Sequence, residues 1–354
     1  MIFISSALQQ PRHQKRMRIF CSNFDCSIWY FERGGYKLNY KGWDKRAICI
    51  SKIKNKNYLL RLMPLLKLYI KLCFTKDNKV YCTSLDQALV SVLARKKVVM
   101  ELGDLQQLSG PGFMGFMVKY LDRWLVKKIN GVVLTSPFYF SAYYASFQGI
   151  DRNKFLIVEN KVPLSIEADV NNQRNADYEE NNLYAKIKLG VIGSISDRAA
   201  LQTLISIVKR RDDMELHIFG DGDLQVFEGL SNCMIHGAFR SPEDLCEIYG
   251  KIDVNFIVYD ANDDNVKIAL PNKLYESIAF GKPIICAKGV ALAEIVESKR
   301  IGVACEIDEI EYSLDLIMDN YREYIDKIFL LSKDEYLDNS ESELVKFVEN
   351  KLGT

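Results

Sequence analysis

The sequence is poor in the residues that build metal centres and disulfide frameworks. It has three histidines, and its nine cysteines are scattered without one Cys-x-x-Cys pair. This set lacks the ligand spacing of a structural zinc site, and scattered cysteines are typical of reduced thiols inside cells. We therefore expect no metal, no other cofactor and a cytoplasmic protein.

Long apolar runs and internal repeats are also missing. No run reaches the ~20 apolar residues that span a bilayer. The apolar start, Met1-Ile2-Phe3-Ile4, lacks the basic leader and long apolar region of a signal peptide. With no low-complexity tract and few prolines, the composition is that of a globular protein, and 354 residues suffice for two domains.

What the sequence does contain is a steady alternation of short apolar strands and amphipathic helices. The alternation runs through the first half, stops in a polar stretch after Ser165, and resumes near Ile187. It predicts an α/β fold of two doubly wound domains with a ligand cleft between them. We place the domains at 1–165 and 185–333, a linker at 166–184, and at 334–354 a C-terminal helix with the N-terminal domain as a candidate docking place.

Charge is unevenly distributed between the two halves. Residues 1–165 hold 27 basic and 10 acidic residues, a net +17, whereas residues 166–354 hold 20 and 36, a net −16. A basic domain suggests an anionic partner, although docking on its own acidic domain is the alternative. The stretch Tyr58–Leu72, apolar with periodic cations, fits an interfacial helix on an anionic membrane and equally a buried helix.

Two strands of the second half end in glycine. The strand predicted at Ile187–Ile192 is followed by Gly193 and then by a helix starting at Arg198. A glycine there lets a ligand approach the backbone, and the helix start offers N–H groups and a guanidinium to phosphate. A second strand ends at Gly220 in a Gly-Asp-Gly turn, for which turn formation alone is also an adequate explanation.

The stretch Leu270–Lys288 predicts a short helix followed by a buried strand. Asn272 can cap this helix, Lys273 at its start suits a phosphate, and Glu276 one turn later suits a pair of sugar hydroxyls. The alternative is a capped surface helix whose lysine and glutamate form an ion pair.

Taken in order, these motifs resemble a known family. The run contains I-F-G-D-G, I-H-G, S-P-E-D-L, D-V-N-F-I-V-Y, P-N-K-L-Y-E and F-G-K-P-I-I. From Leu189 to Val296 it resembles the donor domain of GT-B glycosyltransferases, especially retaining family 4, and the first half resembles the family more diffusely. The resemblance implies two Rossmann-like domains facing across a cleft. It also implies transfer of a sugar from a nucleotide-diphosphate sugar to an acceptor hydroxyl without a bound metal.

The resemblance also assigns roles to residues. Glu276 would hold the donor ribose, while Arg198 and Lys273 would hold the diphosphate. The remaining donor-site residues are Gly193, Gly220, Gly237, Asn272 and Leu274. Ile268 departs from the pattern, because many members carry a second glutamate at that position.

The acceptor side is less specified by the sequence. Arg12 lies in the stretch that resembles the acceptor loop. In a retaining front-face reaction the leaving phosphate oxygen can take the acceptor proton, so an assisting group is optional. Asp104 is the first candidate for one, then Glu101, then His13, and a cap or turn role is the alternative for each.

Charge and resemblance together suggest the partners. The acceptor would be a saccharide, free or linked to polyprenyl diphosphate, at the inner face of the cell membrane. The product would belong to a bacterial surface polysaccharide: capsule, exopolysaccharide or lipopolysaccharide. A non-catalytic nucleotide-sugar-binding subunit and a GT-B-like sugar-nucleotide epimerase are the alternatives. No nucleic acid is expected, because helix-turn-helix, zinc and RNP signatures are missing.

Overall fold

The chain folds into two compact units in the computed structural model, which describes residues 1–8, 10–33, 47–53, 61–105, 112–179, 186–195 and 198–353. The first unit comprises Met1–Glu159 with Ser340–Thr354, and the second comprises Asn160–Asn339.

The first unit is built on a seven-stranded parallel sheet with the spatial order β3-β2-β1-β4-β5-β6-β7. Its strands are β1 (Ile2–Ser5), β2 (Ser27–Arg33), β3 (Ala47–Ile53), β4 (Lys79–Cys82), β5 (Lys97–Leu102), β6 (Gly131–Leu134) and β7 (Phe155–Ile157). Its helices are α1 (Pro11–Asn23), α2 (Leu62–Phe74), α3 (Leu85–Leu93), α4 (Gly112–Lys128) and α5 (Pro137–Ala142). The strand order reverses between β1 and β4, which is the usual ligand position in such sheets.

The second unit repeats this plan with a six-stranded parallel sheet of order β11-β10-β9-β12-β13-β14. After the short β8 (Val162–Pro163), its main strands are β9 (Ile187–Ile192), β10 (Met214–Phe219), β11 (Cys233–Gly237), β12 (Val254–Ile257), β13 (Ile284–Ala287) and β14 (Gly302–Cys305). Its helices are α6 (Glu167–Glu179), α7 (Arg198–Val208), α8 (Leu245–Gly250), α9 (Asp264–Ile268), α10 (Asn272–Ala279), α11 (Ala291–Lys299), α12 (Ile310–Asp319) and α13 (Tyr321–Phe329). The strand β15 (Leu337–Asp338) ends this unit.

The helices cover both faces of the first sheet. Right-handed crossovers put α2, α3 and α4 on one face, because their connections all advance in the same direction along the sheet. The helix α3 packs against both α2 and α4. The connection through α1 runs the opposite way and therefore lies on the other face.

The last helix, α14 (Glu341–Leu352), belongs to the first unit. It packs against α1 and β5, and Leu344, Val348 and Leu352 are fully buried. They join Phe3 and Tyr81 in one apolar cluster. The chain thus closes the core of its first unit with residues from its C-terminal end.

The division into units differs from the boundaries expected at 165/166 and 333/334. β8 pairs in parallel with β15, Val162 opposite Leu337, and the Lys161 ammonium donates to the Asp334 carbonyl at 2.8 Å. These contacts join the segment after β7 to the segment before α14, and both segments belong to the second unit. That unit therefore extends from Asn160 to Asn339. The expected linker at 166–184 is wrong in its described part, because Glu167–Glu179 form the helix α6.

None of the described helices is long and apolar enough to cross a membrane. Residues 58–60, the start of the stretch considered for membrane contact, lie outside the described part of the chain.

Candidate functional site

Three glycines stand at the C-terminal ends of three neighbouring strands in the second unit. Gly193 follows β9, Gly220 follows β10, and Gly237 ends β11. The Gly193 N–H donates to the Phe219 carbonyl and the Gly220 N–H to the Gly237 carbonyl, each at 2.7 Å. We call these residues the glycine rim. The structure therefore brings together three of the predicted donor-site residues.

Two glycines at and after the end of β10 are required for steric reasons. Gly220 has a φ of +138°, and a Cβ there would lie 1.9 Å from the Gly193 carbonyl oxygen. Gly222, in the turn after β10, would place a Cβ 2.6 Å from the Ile195 carbonyl oxygen. The Gly-Asp-Gly turn thus packs directly on the backbone that follows β9, and its glycines allow this close approach.

A lysine lies over the rim. A Cβ added to Gly193 would be 2.8 Å from the Lys273 Nζ, so the ammonium occupies the space that a side chain at 193 would need. Lys273 is in the first turn of α10, whose free N–H groups add positive potential. Cation, glycine backbone and helix start converge at the carboxyl edge of the sheet, an arrangement suited to a diphosphate.

Glu276, one turn after Lys273, is held in a buried hydrogen-bond network. It is 7% exposed, and the Tyr249 hydroxyl donates to its Oε2 at 2.9 Å. Asn255 Nδ2 in turn lies 3.3 Å from the Tyr249 hydroxyl and donates to Ser277 Oγ at 2.8 Å. Burial raises the pKa of Glu276, while the Lys273 charge and the Tyr249 hydrogen bond act in the opposite direction. The carboxylate is therefore fixed in place by residues that lie far from it in sequence.

The other predicted donor-site residues do not point to the proposed ligand in the same way. Asn272 does not cap α10, because the N-cap is Pro271 and no side-chain cap forms. Leu274 is buried, and its N–H donates to the Pro271 carbonyl at 3.0 Å, so its side chain serves the core. Arg198 begins α7, but its side chain lies outside the described part of the structure.

Sequence reasoning missed a stack of rings beside the rim. The rings of Phe219 and His236 lie parallel with centroids 4.2 Å apart, and His217 Nδ1 lies 3.1 Å from His236 Nε2. Burial lowers the pKa of His217 to about 4 and also lowers the pKa of His236, so both imidazoles are neutral at pH 7. The sequence did contain a signal for this stack, because His217 and Phe219 are two residues apart on β10 and side chains at that spacing face the same side of a sheet.

The acceptor-side candidates also converge, but around a buried ion cluster in the first unit. Glu101 is fully buried and accepts hydrogen bonds from the Tyr81 hydroxyl and from Arg16 Nε at 3.1 Å. Arg12 Nε lies 3.4 Å from its other oxygen. The Arg12 guanidinium rests on Gly103, where a Cβ would overlap it. Glu101 therefore anchors two arginines.

His13 lies inside this cluster rather than on a surface. It is fully buried, with Nδ1 2.8 Å from the Ala7 carbonyl and 3.0 Å from Ser5 Oγ. Because a carbonyl only accepts, Nδ1 carries the proton, and Nε2 faces Arg12 Nη2 at 3.3 Å. Asp104, two residues after β5, is exposed and is the accessible carboxylate among the three catalytic candidates.

No cluster of three or more metal-binding side chains occurs among the described residues. The Asp263-Asp264 pair serves the short helix α9. Asp263 accepts from the N–H groups of Asn265 and Val266, and Asp264 pairs with Lys267 at 2.9 Å.

Comparison with known proteins places this geometry in context. Residues 186–318, which include the glycine rim and α10, match the model of the family described as "Glycosyl transferases group 1". A curated relative from Rhizobium meliloti (strain 1021), named "Succinoglycan biosynthesis protein ExoL", is 26% identical over 224 residues. The match covers 60% of this chain and 55% of the relative, so the chain spans little more than half of that protein's length.

The chain is also similar over nearly its whole length to solved structures, among them WaaG and Anabaena HepE. The structure of WaaG, titled as a glycosyltransferase involved in lipopolysaccharide biosynthesis, has a TM-score of 0.68 at 12% identity and covers 100% of both chains. Anabaena HepE in complex with UDP has a TM-score of 0.62 at 14% identity, covering 99% of this chain and 95% of that one. The fold is GT-B. The family match lies within the second unit, whereas the likeness to these solved structures extends over both units and is a likeness of fold.

Proposed function

We propose that this chain is a retaining glycosyltransferase that moves a sugar, of the hexose class, from a nucleotide-diphosphate sugar to an acceptor hydroxyl. The observation that carries the proposal is the placement of the Lys273 ammonium on Gly193, with the fixed carboxylate of Glu276 on the same short helix. The family match over residues 186–318 supports the same conclusion.

Each part of the site has a task in the proposed reaction. Lys273 and the first N–H groups of α10 neutralise the charge that develops on the leaving diphosphate. The Glu276 carboxylate accepts hydrogen bonds from the two ribose hydroxyls and fixes the nucleotide. The bond between the sugar C1 and the phosphate oxygen breaks, the bond from C1 to the acceptor oxygen forms on the same face, and the acceptor proton passes to the leaving phosphate oxygen.

Asp104 is our candidate for assisting that proton transfer, because it is exposed whereas Glu101 is committed to Arg12 and Arg16. General base catalysis typically contributes ~10²–10⁴-fold. We expect Asp104→Asn to lower kcat within that range and to leave the donor Kd unchanged. An unchanged kcat would remove Asp104 from the chemistry and leave the proton to the phosphate alone.

The names of the relatives guide the proposed biological setting. ExoL is named for succinoglycan biosynthesis and WaaG for lipopolysaccharide biosynthesis. HepE was crystallised with UDP. We infer a uridine nucleotide sugar as the first donor to test and a saccharide, free or on polyprenyl diphosphate, as acceptor. The enzyme would act at the cytoplasmic face of the membrane in bacterial surface polysaccharide assembly.

The decisive experiment is ligand-induced thermal stabilisation by UDP-, GDP- and ADP-sugars. A donor at ~100 times its Kd should add about 2.7 kcal/mol to the free energy of unfolding. Lys273→Met and Glu276→Gln should reduce this gain strongly. The matched control is Lys267→Met, because Lys267 is exposed on α9 and pairs only locally with Asp264. No stabilisation of the wild type by any nucleotide sugar would overturn the proposal.

Turnover then separates the proposed function from its alternatives. Transfer to a saccharide acceptor with release of the nucleoside diphosphate, and retention of the anomeric configuration, is the expected result. Donor binding without product would identify a non-catalytic binding subunit, the alternative suggested by Ile268. Conversion of the donor into its epimer would identify an epimerase.

A further inference from the structure

One face of the first unit exposes an unusual amount of apolar surface. Nineteen large hydrophobic side chains are exposed among the described residues, and eleven of them belong to α2 and α4. We call these eleven the apolar face: Leu62, Met63, Leu66, Tyr69, Ile70, Phe74, Phe113, Phe116, Met117, Tyr120 and Trp124. Exposed apolar surface concentrated in this way marks an interaction site.

The exposed apolar residues form a stripe along each of the two helices. In α4 the five exposed residues recur at intervals of three and four, the spacing of one helical stripe. Phe113 is 78% and Phe116 65% exposed, so the stripe does not contribute to the core. Since α2 and α4 cover the same face of the sheet and both contact α3, their stripes belong to one side of the unit.

On the two helices that carry the apolar face, the exposed charges of the described residues are of one sign. The helix α2 contains no acidic residue. The single acid of α4, Asp122, is fully buried and accepts from the Tyr144 hydroxyl at 3.1 Å. Exposed cations accompany both stripes: Lys67 on α2, and Arg123, Lys127 and Lys128 on α4. Apolar stripes flanked by lysine and arginine are the composition of helices that lie in the interface of an anionic membrane.

The net charge decides between a lipid surface and a second copy of the chain. The first unit has 28 basic and 13 acidic residues, a net +15. A copy of the same face would meet its own positive potential, whereas an anionic leaflet would attract it. We propose that the apolar face docks on an anionic bilayer, with α2 and α4 lying at its surface and their aromatic and aliphatic side chains inserted among the lipids.

Vesicle sedimentation of the full chain tests this without any sugar substrate, so its outcome is independent of the proposed glycosyl transfer. We expect binding to vesicles of phosphatidylcholine mixed with phosphatidylglycerol, weakened by added salt, and little binding to phosphatidylcholine alone. Phe116→Glu/Tyr120→Glu should reduce the partition coefficient by about tenfold or more, because two inserted rings are lost and two repelled charges are added.

The matched control carries the same charge change on the second unit. Tyr312 and Leu330 are 69% and 79% exposed there, and Tyr312→Glu/Leu330→Glu should bind nearly as well as the wild type. Lys127→Gln/Lys128→Gln should bind anionic vesicles more weakly and with less salt dependence. Thermal unfolding checks that every variant is folded.

Three results would overturn the proposal. One is the absence of wild-type binding to anionic vesicles. Another is an equal loss of binding in the variant and its control. The third is concentration-dependent self-association in solution that Phe116→Glu/Tyr120→Glu abolishes, because a second copy would then cover the apolar face.

Discussion

At the scale of single residues, the buried position of Glu276 costs folding stability at neutral pH, although the same carboxylate is the proposed contact to the donor ribose. The residue is 7% exposed, and burial raises the pKa of its carboxyl above the ordinary value of 4.5. A carboxyl with a raised folded-state pKa contributes stability below its unfolded pKa and loses it as pH rises through the folded pKa. At neutral pH the charged carboxylate therefore lowers the stability of the fold.

Glu276→Gln should consequently be more stable than the wild type near neutral pH. The advantage should disappear as the pH falls below about 4.5, because the carboxyl of the wild type is then protonated in both the folded and the unfolded state. The same variant should bind the donor about 10- to 150-fold more weakly, for the loss of charged hydrogen bonds worth ~1.5–3 kcal/mol. Urea unfolding at several pH values measures the first effect.

Glu294→Gln, an exposed change on α11, is the control and should stay close to the wild type throughout. A Glu276→Gln protein that is less stable than the wild type at pH 7 would show that the network around Tyr249 more than offsets the cost of burial.

The glycine rim makes a second prediction at this scale. In Gly220→Ala the new Cβ would meet the Gly193 carbonyl oxygen at 1.9 Å, so the backbone must shift. We expect a loss of ~2–4 kcal/mol in the free energy of unfolding and a loss of donor binding. Gly229→Ala is the control: its φ is also positive, at +84°, but nothing lies within 4 Å of the new Cβ.

Gly229→Ala should lose only the ~1–2 kcal/mol of a left-handed backbone conformation. Equal losses in the two variants, measured by urea unfolding, would mean that the rim relaxes without cost and that its close approach does not require glycine.

At the scale of elements, α6 is a helix that the sequence analysis did not predict. Strands with continuous apolar runs and turn residues at their ends were predictable, and so was α10 to within one residue. The helix α6 is polar along its length, so periodicity gave no signal for it. Two of its described residues are buried, Val170 and Arg174, and the sequence pattern does not reveal that a lone valine and an arginine hold the helix in place.

Arg174 joins the C-terminal ends of two helices. Its guanidinium donates to the carbonyls of Ile278 at 2.9 Å and Ile328 at 2.7 Å, and it stacks on the Phe329 ring at 4.4 Å. Ile278 belongs to α10, so this contact supports the helix that carries Lys273 and Glu276.

Arg174→Met should therefore lower the free energy of unfolding by ~2–4 kcal/mol, because buried carbonyls lose a charged donor. Arg210→Met, an exposed residue paired with Glu311, should cost less than ~1 kcal/mol. Urea unfolding gives both values. A small effect of Arg174→Met would mean that water replaces the guanidinium at these carbonyls.

At the scale of the whole molecule, the two-unit architecture followed from the alternation of strands and helices, and the glycine rim from residues at strand ends. The networks that hold the site did not follow from the sequence. Tyr249 of α8 donates to Glu276, and Asn255 of β12 contacts the Tyr249 hydroxyl. In the first unit, Glu101 pairs with Arg12 and Arg16. Such contacts join side chains distant in sequence, and a residue's type does not reveal whether it will be buried.

The C-terminal helix allows a test at this scale. Leu344 is fully buried in the core of the first unit, and Leu344→Ala should cost ~2–5 kcal/mol. Leu330→Ala, at a 79% exposed position, should cost less than ~0.5 kcal/mol. Thermal unfolding measures the difference. Equal stability of the two variants would show that α14 is not needed to complete that core.

The place of α14 also has a consequence for biosynthesis. A ribosome makes residues 1–159 first, yet the core that they form includes Leu344, Val348 and Leu352. The segment translated in between, Asn160–Asn339, contains all of the second unit and can fold as soon as it emerges. We expect a released chain that ends at Asn339 to be digested by protease in its first 159 residues and protected in the later part. The unit that begins the chain would then be the last to complete its fold.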